Sequence, residues 1–82
     1  MTIKEFEKFI IENNINSRHF SLNGEFIDDS YVICEKDFLF IVYYYERFEK
    51  FTVKECDTYE EALSEVYKRL KFNIECGLNL KL

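Results

Sequence analysis

The sequence has little of what builds flexible linkers, phosphate-binding loops and membrane spans. Its 82 residues include no proline, no tryptophan and two glycines, Gly24 and Gly77. Two glycines this far apart exclude a glycine-rich phosphate loop. The longest wholly apolar run is eight residues, whereas a membrane-spanning helix needs about 20. The first residues also lack the apolar segment of a signal peptide. We therefore expect a cytoplasmic protein that makes no membrane contact.

Metal-binding and disulfide-forming residues are also scarce. The three cysteines, Cys34, Cys56 and Cys76, lie far apart without a CxxC pair, and His19 is the single histidine. An odd number of cysteines at this spacing indicates neither a disulfide framework nor a zinc site. We interpret all three as reduced thiols that serve as small apolar residues. The sequence predicts no metal and no cofactor.

A concentration of positive charge is missing as well. The chain carries 16 acidic and 11 basic residues, a formal charge of -5, and no segment gathers lysine or arginine. Proteins that bind nucleic acid directly neutralise phosphates with clustered cations, so this activity is not expected. An acidic surface favours a basic protein partner. The alternative interpretation is that the charge serves only solubility.

The inventory of catalytic groups is thin. His19 with one of the cysteines is the single Cys–His combination, and no known local signature surrounds it. The carboxylates of Asp28, Asp29, Glu46 and Asp57 have the spacing of solvated turn residues. Because catalysis needs a nucleophile or an acid–base pair held in a pocket, we predict that the protein is not an enzyme and has no catalytic residues.

What the sequence does contain is an aromatic strand pattern. Residues 38–45 form eight consecutive apolar or aromatic positions, rich in types that favour a pleated sheet. Ser30–Lys36 precedes them and Phe51–Lys54 follows, each with alternating apolar positions. In the last strand Phe51 and Val53 are expected to face the core and Lys54 to face water. The short connections require antiparallel pairing, so we predict a three-stranded antiparallel meander with the aromatic strand in the middle.

Two helices are predicted to flank this sheet. Thr2 to Asn13 has apolar residues at helical spacing, and Thr2 with Glu5 matches a capping box. Thr58 with Glu61 matches a second capping box, and apolar residues recur every three or four positions up to Ile74, with Gly77 as the natural end. The prediction is a single α+β domain over residues 1–82, in the order α-β-β-β-α.

Two short segments admit more than one interpretation. Residues 19–27 contain Asn23-Gly24, the dipeptide most typical of a tight turn, so an extra short hairpin or a packed loop fits equally. The tail Leu78–Leu82 alternates apolar and polar residues, which suits either frayed ends or a short edge strand.

The tyrosines indicate a binding surface. Six tyrosines cannot all be buried with satisfied hydroxyls in a domain of this size. Tyrosine and arginine are enriched at binding hot spots. The candidate partner-binding residues are Tyr31, Tyr43, Tyr45, Glu46, Arg47 and Glu49. The alternative is that this sheet face is covered by Ser17–Asp29 or by a second copy of the chain.

Four short segments, Ser21–Gly24, Asp29–Ile33, Val42–Arg47 and Tyr59–Ala62, resemble small bacterial immunity proteins of polymorphic-toxin and contact-dependent growth-inhibition systems. That family has a tyrosine-rich strand ending in Glu-Arg-Gly and an aromatic, acidic helix start. The resemblance spans roughly residues 20 to 70, and Phe48 stands where the family usually has glycine. It implies a non-enzymatic inhibitor that binds one cognate toxin domain and blocks its action.

The residues that carry this implied role by direct match are Tyr43, Tyr45, Glu46 and Arg47. Glu46 and Arg47 fit equally well as a structural ion pair that holds the hairpin. Two other functions stay open: an anti-defence inhibitor of phage or plasmid origin that mimics nucleic acid, and a structural homodimer whose tyrosine faces pack together. We expect a monomer or a homodimer.

Overall fold

The computed structural model describes residues 1–82 and confirms the α+β class. Two helices and four strands follow one another along the chain, with a single 3-10 turn at Ser17–His19. The elements are α1 (Ile3–Glu12), β1 (Phe20–Ser21), β2 (Ser30–Lys36), β3 (Leu39–Glu46), β4 (Glu49–Cys56) and α2 (Tyr59–Glu75). None of these helices has the length and apolar character needed to cross a membrane.

The sheet has one strand more than predicted. Its strand order is β1-β2-β3-β4, in which β2, β3 and β4 form the expected antiparallel meander. The two-residue β1 pairs in parallel with β2, so that Phe20 lies opposite Tyr31. The three-stranded prediction was therefore incomplete, and the alternative of a hairpin at 19–27 is wrong. The Asn23 side chain instead accepts hydrogen bonds from the Ser21 hydroxyl and the Glu25 amide, which satisfies the loop locally.

The predicted capping box at Thr2 is complete, whereas at Thr58 only the bond from the Glu61 amide to the threonine hydroxyl forms. The Thr2 hydroxyl accepts from the Glu5 amide at 3.2 Å, and the Glu5 carboxylate accepts from the Thr2 amide at 2.9 Å. Thr58 accepts from the Glu61 amide at 3.1 Å. These bonds satisfy amide groups that a helix start otherwise leaves unpaired, so the local sequence alone determines where each helix begins.

α2 packs across one face of the sheet, α1 packs against α2, and together they enclose the core. Val42 and Ile33 contribute from the sheet, while Leu63, Val66 and Leu70 contribute from α2. The remaining members of the buried cluster are Phe6, Ile15, Cys56, Ala62 and Leu80. Leu80 is held there because the tail pairs with the α1 side of the domain, where Ile15 and Lys81 form an isolated bridge. The tail therefore neither frays nor joins the sheet.

A β-bulge changes the faces of β4. Val42 pairs with Lys54 and Tyr43 pairs with Thr52, which leaves Val53 as an extra residue in β4. The extra residue places Lys54 on the helix side of the sheet, with its ammonium 4.0 Å from the buried carboxylate of Glu65. The prediction that Lys54 faces water was therefore wrong, because the bulge interrupts the alternation of side chains between the two faces of β4.

Candidate functional site

Each of the two hairpins in the meander has a two-residue turn, in which an aspartate or an arginine is followed by a phenylalanine. Asp37 and Phe38 have φ values of 51° and 67°, and Arg47 and Phe48 have 51° and 66°. Two consecutive positive φ values define a type I′ turn, whose second position strongly favours glycine. We name these the Phe38 turn (Asp37–Phe38) and the Phe48 turn (Arg47–Phe48). Phe38 had been predicted to open the aromatic strand, but it lies in the turn, because β3 begins at Leu39.

The two turn phenylalanines are the most exposed large apolar side chains of the molecule. Phe38 is 96% exposed and Phe48 is 94% exposed. A bulky residue in the left-handed region costs about 1–3 kcal/mol, and a fully hydrated ring recovers none of that by packing. The sequence did contain a signal for this feature, since Phe48 stands where the resembling family has glycine.

The loop before β2 braces the Phe48 turn. The Asp28 carboxylate accepts a hydrogen bond from the Arg47 amide at 2.8 Å, and the Asp29 amide donates to the Tyr45 carbonyl at 2.8 Å. All three salt bridges of the protein involve Glu65, so Glu46 and Arg47 form no ion pair. Arg47 is held by the hydrogen bond from its backbone amide to the Asp28 carboxylate, and not by an ion pair of its side chain.

The charge around the Phe48 turn is negative. Glu46 and Glu49 are directly opposite one another in the last pair of the hairpin. Like charges at such a position destabilise a sheet and are relieved by a bound cation. Asp28 and Asp29 add two more carboxylates beside the turn, against the cations of Arg47, Lys50 and Arg18, the last of which lines a small cavity with both aspartates. This end of the molecule therefore suits a basic surface.

An aromatic layer lies on the sheet face opposite the helices. Phe26 packs over Tyr45 and Tyr43 with ring centroids 5.1 and 6.1 Å away. The Lys50 ammonium is 4.9 Å from the Tyr43 ring centroid. Tyr43 is consequently only 7% exposed. The loop between β1 and β2 thus covers much of this face, which was the alternative considered for Ser17–Asp29.

The six predicted partner-binding residues fall into three places. Tyr45, Glu46, Arg47 and Glu49 lie together at the Phe48 turn. Tyr43 lies beneath Phe26, away from solvent. Tyr31 lies on the other sheet face, where its ring is 5.0 Å from that of Tyr44. Phe48 and Phe26, which were not among the predicted residues, also lie on this surface.

Comparison of the chain with protein-family models, curated proteins and solved structures gives no match.

A half-open cavity of about 240 Å³ adjoins the same end on the helix side. Its lining includes His19, Asp29, Tyr31, Tyr44 and Asn73. Burial, and then the nearby Arg18, lowers the pKa of His19, and its Nε2 is a buried atom with no hydrogen-bond partner. Burial, followed by the charge of Asp29, raises the pKa of Tyr44. The imidazole is therefore mainly neutral at pH 7.

The titratable groups do not gather into a metal site. No group of three His, Cys, Asp or Glu side chains is placed to hold a metal ion. Burial raises the pKa of the Cys34 and Cys56 thiols. Since the thiolate is the reactive form, these two cysteines are poor nucleophiles at neutral pH.

Proposed function

We propose that this protein is a bacterial immunity protein that binds a cognate toxin domain in the cytoplasm and neutralises it by stoichiometric inhibition. The observation that carries the proposal is Phe48, an exposed ring held in a strained turn. The similarity of four sequence segments to immunity proteins of polymorphic-toxin systems supplies the partner class. A protein-binding role needs no cofactor and no catalytic group.

Phe48 is suited to bind a partner because its backbone strain and its exposure to water are both unfavourable in the free protein. Phenylalanine buries on the order of 150–250 Å² when it enters a pocket, so a partner with an apolar pocket would gain substantially from this ring. Tight interfaces concentrate their energy in a few such anchors surrounded by polar contacts. Here Glu46, Glu49, Asp28 and Arg47 form the polar surroundings.

The charge of the surroundings suits a basic toxin domain. Glu46 and Glu49 face one another without a cation between them, so a lysine or arginine of the partner would relieve their repulsion. Many toxins that act on nucleic acid are basic, because they contact phosphates. The inhibitor would then cover the basic surface that the toxin uses for its substrate.

The test uses the product of the adjacent open reading frame as the toxin and two matched variants of this protein. In Phe48→Gly the ring is lost while the turn is kept, and we expect at least about 30-fold weaker toxin binding by calorimetry. Phe38→Gly makes the same change in the other turn. Measured at low micromolar protein concentration, it should bind the toxin with the affinity of the unmodified protein. Persistent toxicity at equimolar ratio with no complex, or equal affinity of the two variants, contradicts the proposal.

A further inference from the structure

The half-open cavity of about 240 Å³ on the helix side has no part in the proposed toxin contact. Three separate parts of the fold meet around it. The sheet contributes Tyr31 and Tyr44, α2 contributes Leu70 and Asn73, and the tail contributes residues 78–80. We name it the Asp29 cavity, because Asp29 also lines it. Sites for small molecules are typically concave places of this kind, with mainly apolar walls and a few polar groups.

The walls of the Asp29 cavity suit an aromatic ring. Tyr31 lies directly opposite Tyr44 in the pairing of β2 with β3, and their ring centroids are 5.0 Å apart. The next pair on the same sheet face, Ile33 with Val42, belongs to the core, so both tyrosines are on the helix side. Together with the leucines of α2 and the tail, these rings make the lining more apolar than polar.

The tail holds its wall of the cavity in place before any ligand arrives. The Asn16 amide donates to the Leu80 carbonyl at 2.8 Å, and the Leu82 amide donates to the Asn14 carbonyl at 3.1 Å. The Leu80 side chain is buried in the core. A preformed wall spares a ligand the entropy cost of ordering it.

The formal charge inside the cavity is negative. Asp29 is its charged lining residue at pH 7, because His19 is mainly neutral. All three salt bridges of the protein involve Glu65, so the Asp29 carboxylate has no ionic partner. Arg18 lines a neighbouring cavity, which Asp29 also borders, and is not part of this one.

Tyr44 reports the same sign of charge. Its pKa is raised by burial and then by the negative charges of Asp29, Glu46 and Asp28, and no cation acts in the opposite direction. A positively charged group is therefore favoured beside these tyrosine rings.

We infer that the Asp29 cavity binds a small organic amine, in which a short arm joins one apolar ring to an ammonium group. The ring lies against Tyr31, Tyr44 and the leucines, and the ammonium group pairs with the Asp29 carboxylate. The side-chain oxygens of Asn73 and Asn79 can accept its remaining hydrogen bonds. A cavity of about 150 Å³ takes one benzene ring, so this one has room for a ring with an arm of about two carbons.

Titration of the isotope-labelled protein with three probes at pH 7, followed by NMR, tests the inference. 2-Phenylethylamine should give saturable amide shifts at residues 29–31 and 78–80, with a dissociation constant on the order of 1 mM. 2-Phenylethanol keeps the ring without the charge and should bind about 5-fold more weakly, the value of one partly exposed ion pair. 3-Phenylpropionate should bind more weakly still, because its carboxylate is repelled by Asp29.

Two matched variants separate the charge of Asp29 from the shape of the cavity. Asp29 has a φ of 60°, a conformation that asparagine also tolerates, so Asp29→Asn removes the charge and keeps the backbone. It should bind the amine no more tightly than the alcohol. Asp28→Asn makes the same change of net charge one residue away, outside the cavity, and keeps an oxygen that can accept from the Arg47 amide. Its affinity for the amine should stay within about two-fold of the unmodified protein.

Four outcomes overturn the inference. They are no saturable shift up to about 20 mM amine, equal affinity for the three probes, a preference for the amine that survives in Asp29→Asn, and shifts that saturate only at residues outside the cavity. The measurement uses no toxin, so its result is independent of the proposed immunity function.

Discussion

The two turn phenylalanines combine two unfavourable properties in one residue. The left-handed backbone brings Cβ close to the following carbonyl oxygen, at a cost of about 1–2 kcal/mol for most residues. Phe38 and Phe48 accept this conformation while almost the whole of each ring stays in water. Glycine avoids the steric conflict and loses only backbone entropy on folding.

Replacing either ring by glycine should therefore stabilise the protein. For Phe38→Gly and for Phe48→Gly we expect the free energy of unfolding to rise by about 0.5–1 kcal/mol, the strain relieved less the entropy that glycine loses. Urea denaturation measures the change. Phe48→Ala keeps Cβ and serves as the control, which should gain nothing. A loss of stability in both glycine variants would show that the rings pack in the folded protein.

At the scale of elements, the loop between β1 and β2 covers a sheet face that no helix covers. It lies across the sheet face that α1 and α2 leave open, and Phe26 contacts both Tyr43 and Tyr45 there. It also supplies Asp28 to the Phe48 turn. The same loop thus covers the second face and holds the candidate binding surface in shape.

Removing the Phe26 ring should uncover that face. Phe26 is 41% exposed, so Phe26→Ala should cost about 1–2 kcal/mol of unfolding free energy, less than the 3–5 of a fully buried ring. Acrylamide should quench tyrosine fluorescence more strongly, because Tyr43 becomes exposed. Phe72→Ala, on the outer side of α2 at 63% exposure, is the matched control and should change stability by less than about 0.5 kcal/mol. Equal effects of the two variants would mean that the loop does not hold the face.

Elements that depend on local sequence were predictable, and those that depend on distant partners were not. The capping box at Thr2 and the N-cap bond at Thr58 each act within four residues, so both helix starts follow from the sequence. The parallel pairing of β1 depends on where β2 lies, and the Val53 bulge depends on how β4 meets β3. Neither leaves a periodic signal in the chain.

The candidate site shows the same division. Tyr45, Glu46, Arg47 and Glu49 are close in sequence and stay close in the fold. Phe48 was not among the predicted site residues, although it stands where the resembling family usually has glycine, because its strain and exposure follow from the backbone geometry of the turn. Tyr31 was grouped with Tyr43, although the pairing of β2 with β3 places the two on opposite faces.

For the molecule as a whole, His19 links stability to pH. Burial lowers the pKa of His19 in the folded protein, below the ordinary value of 6.5 that the unfolded chain has. The unfolded state therefore binds more protons as the pH falls below 6.5, and stability is lost until the pH reaches the folded-state pKa. The buried Nε2 without a partner is the structural reason, since protonation there would strand a charge.

We expect the free energy of unfolding to fall between pH 7.5 and pH 5.5 in the unmodified protein. In His19→Gln the free energy of unfolding should change less over the same pH interval, because the side chain that titrates there is gone. Urea denaturation at four pH values in this interval measures both proteins, above the range where carboxylates begin to protonate. If the two proteins lose stability in parallel, a group other than His19 is responsible.

The bulge at Val53 has a consequence for how copies of this chain behave at high concentration. The outer edge of β4 is eight residues long and is otherwise a ready template for another strand. The extra residue twists that edge and breaks its hydrogen-bond register, and four charged residues, Glu49, Lys50, Lys54 and Glu55, lie along it. Fibrillar stacking through this edge is thereby disfavoured, so an aromatic-rich chain without a single proline can stay free of amyloid-like growth.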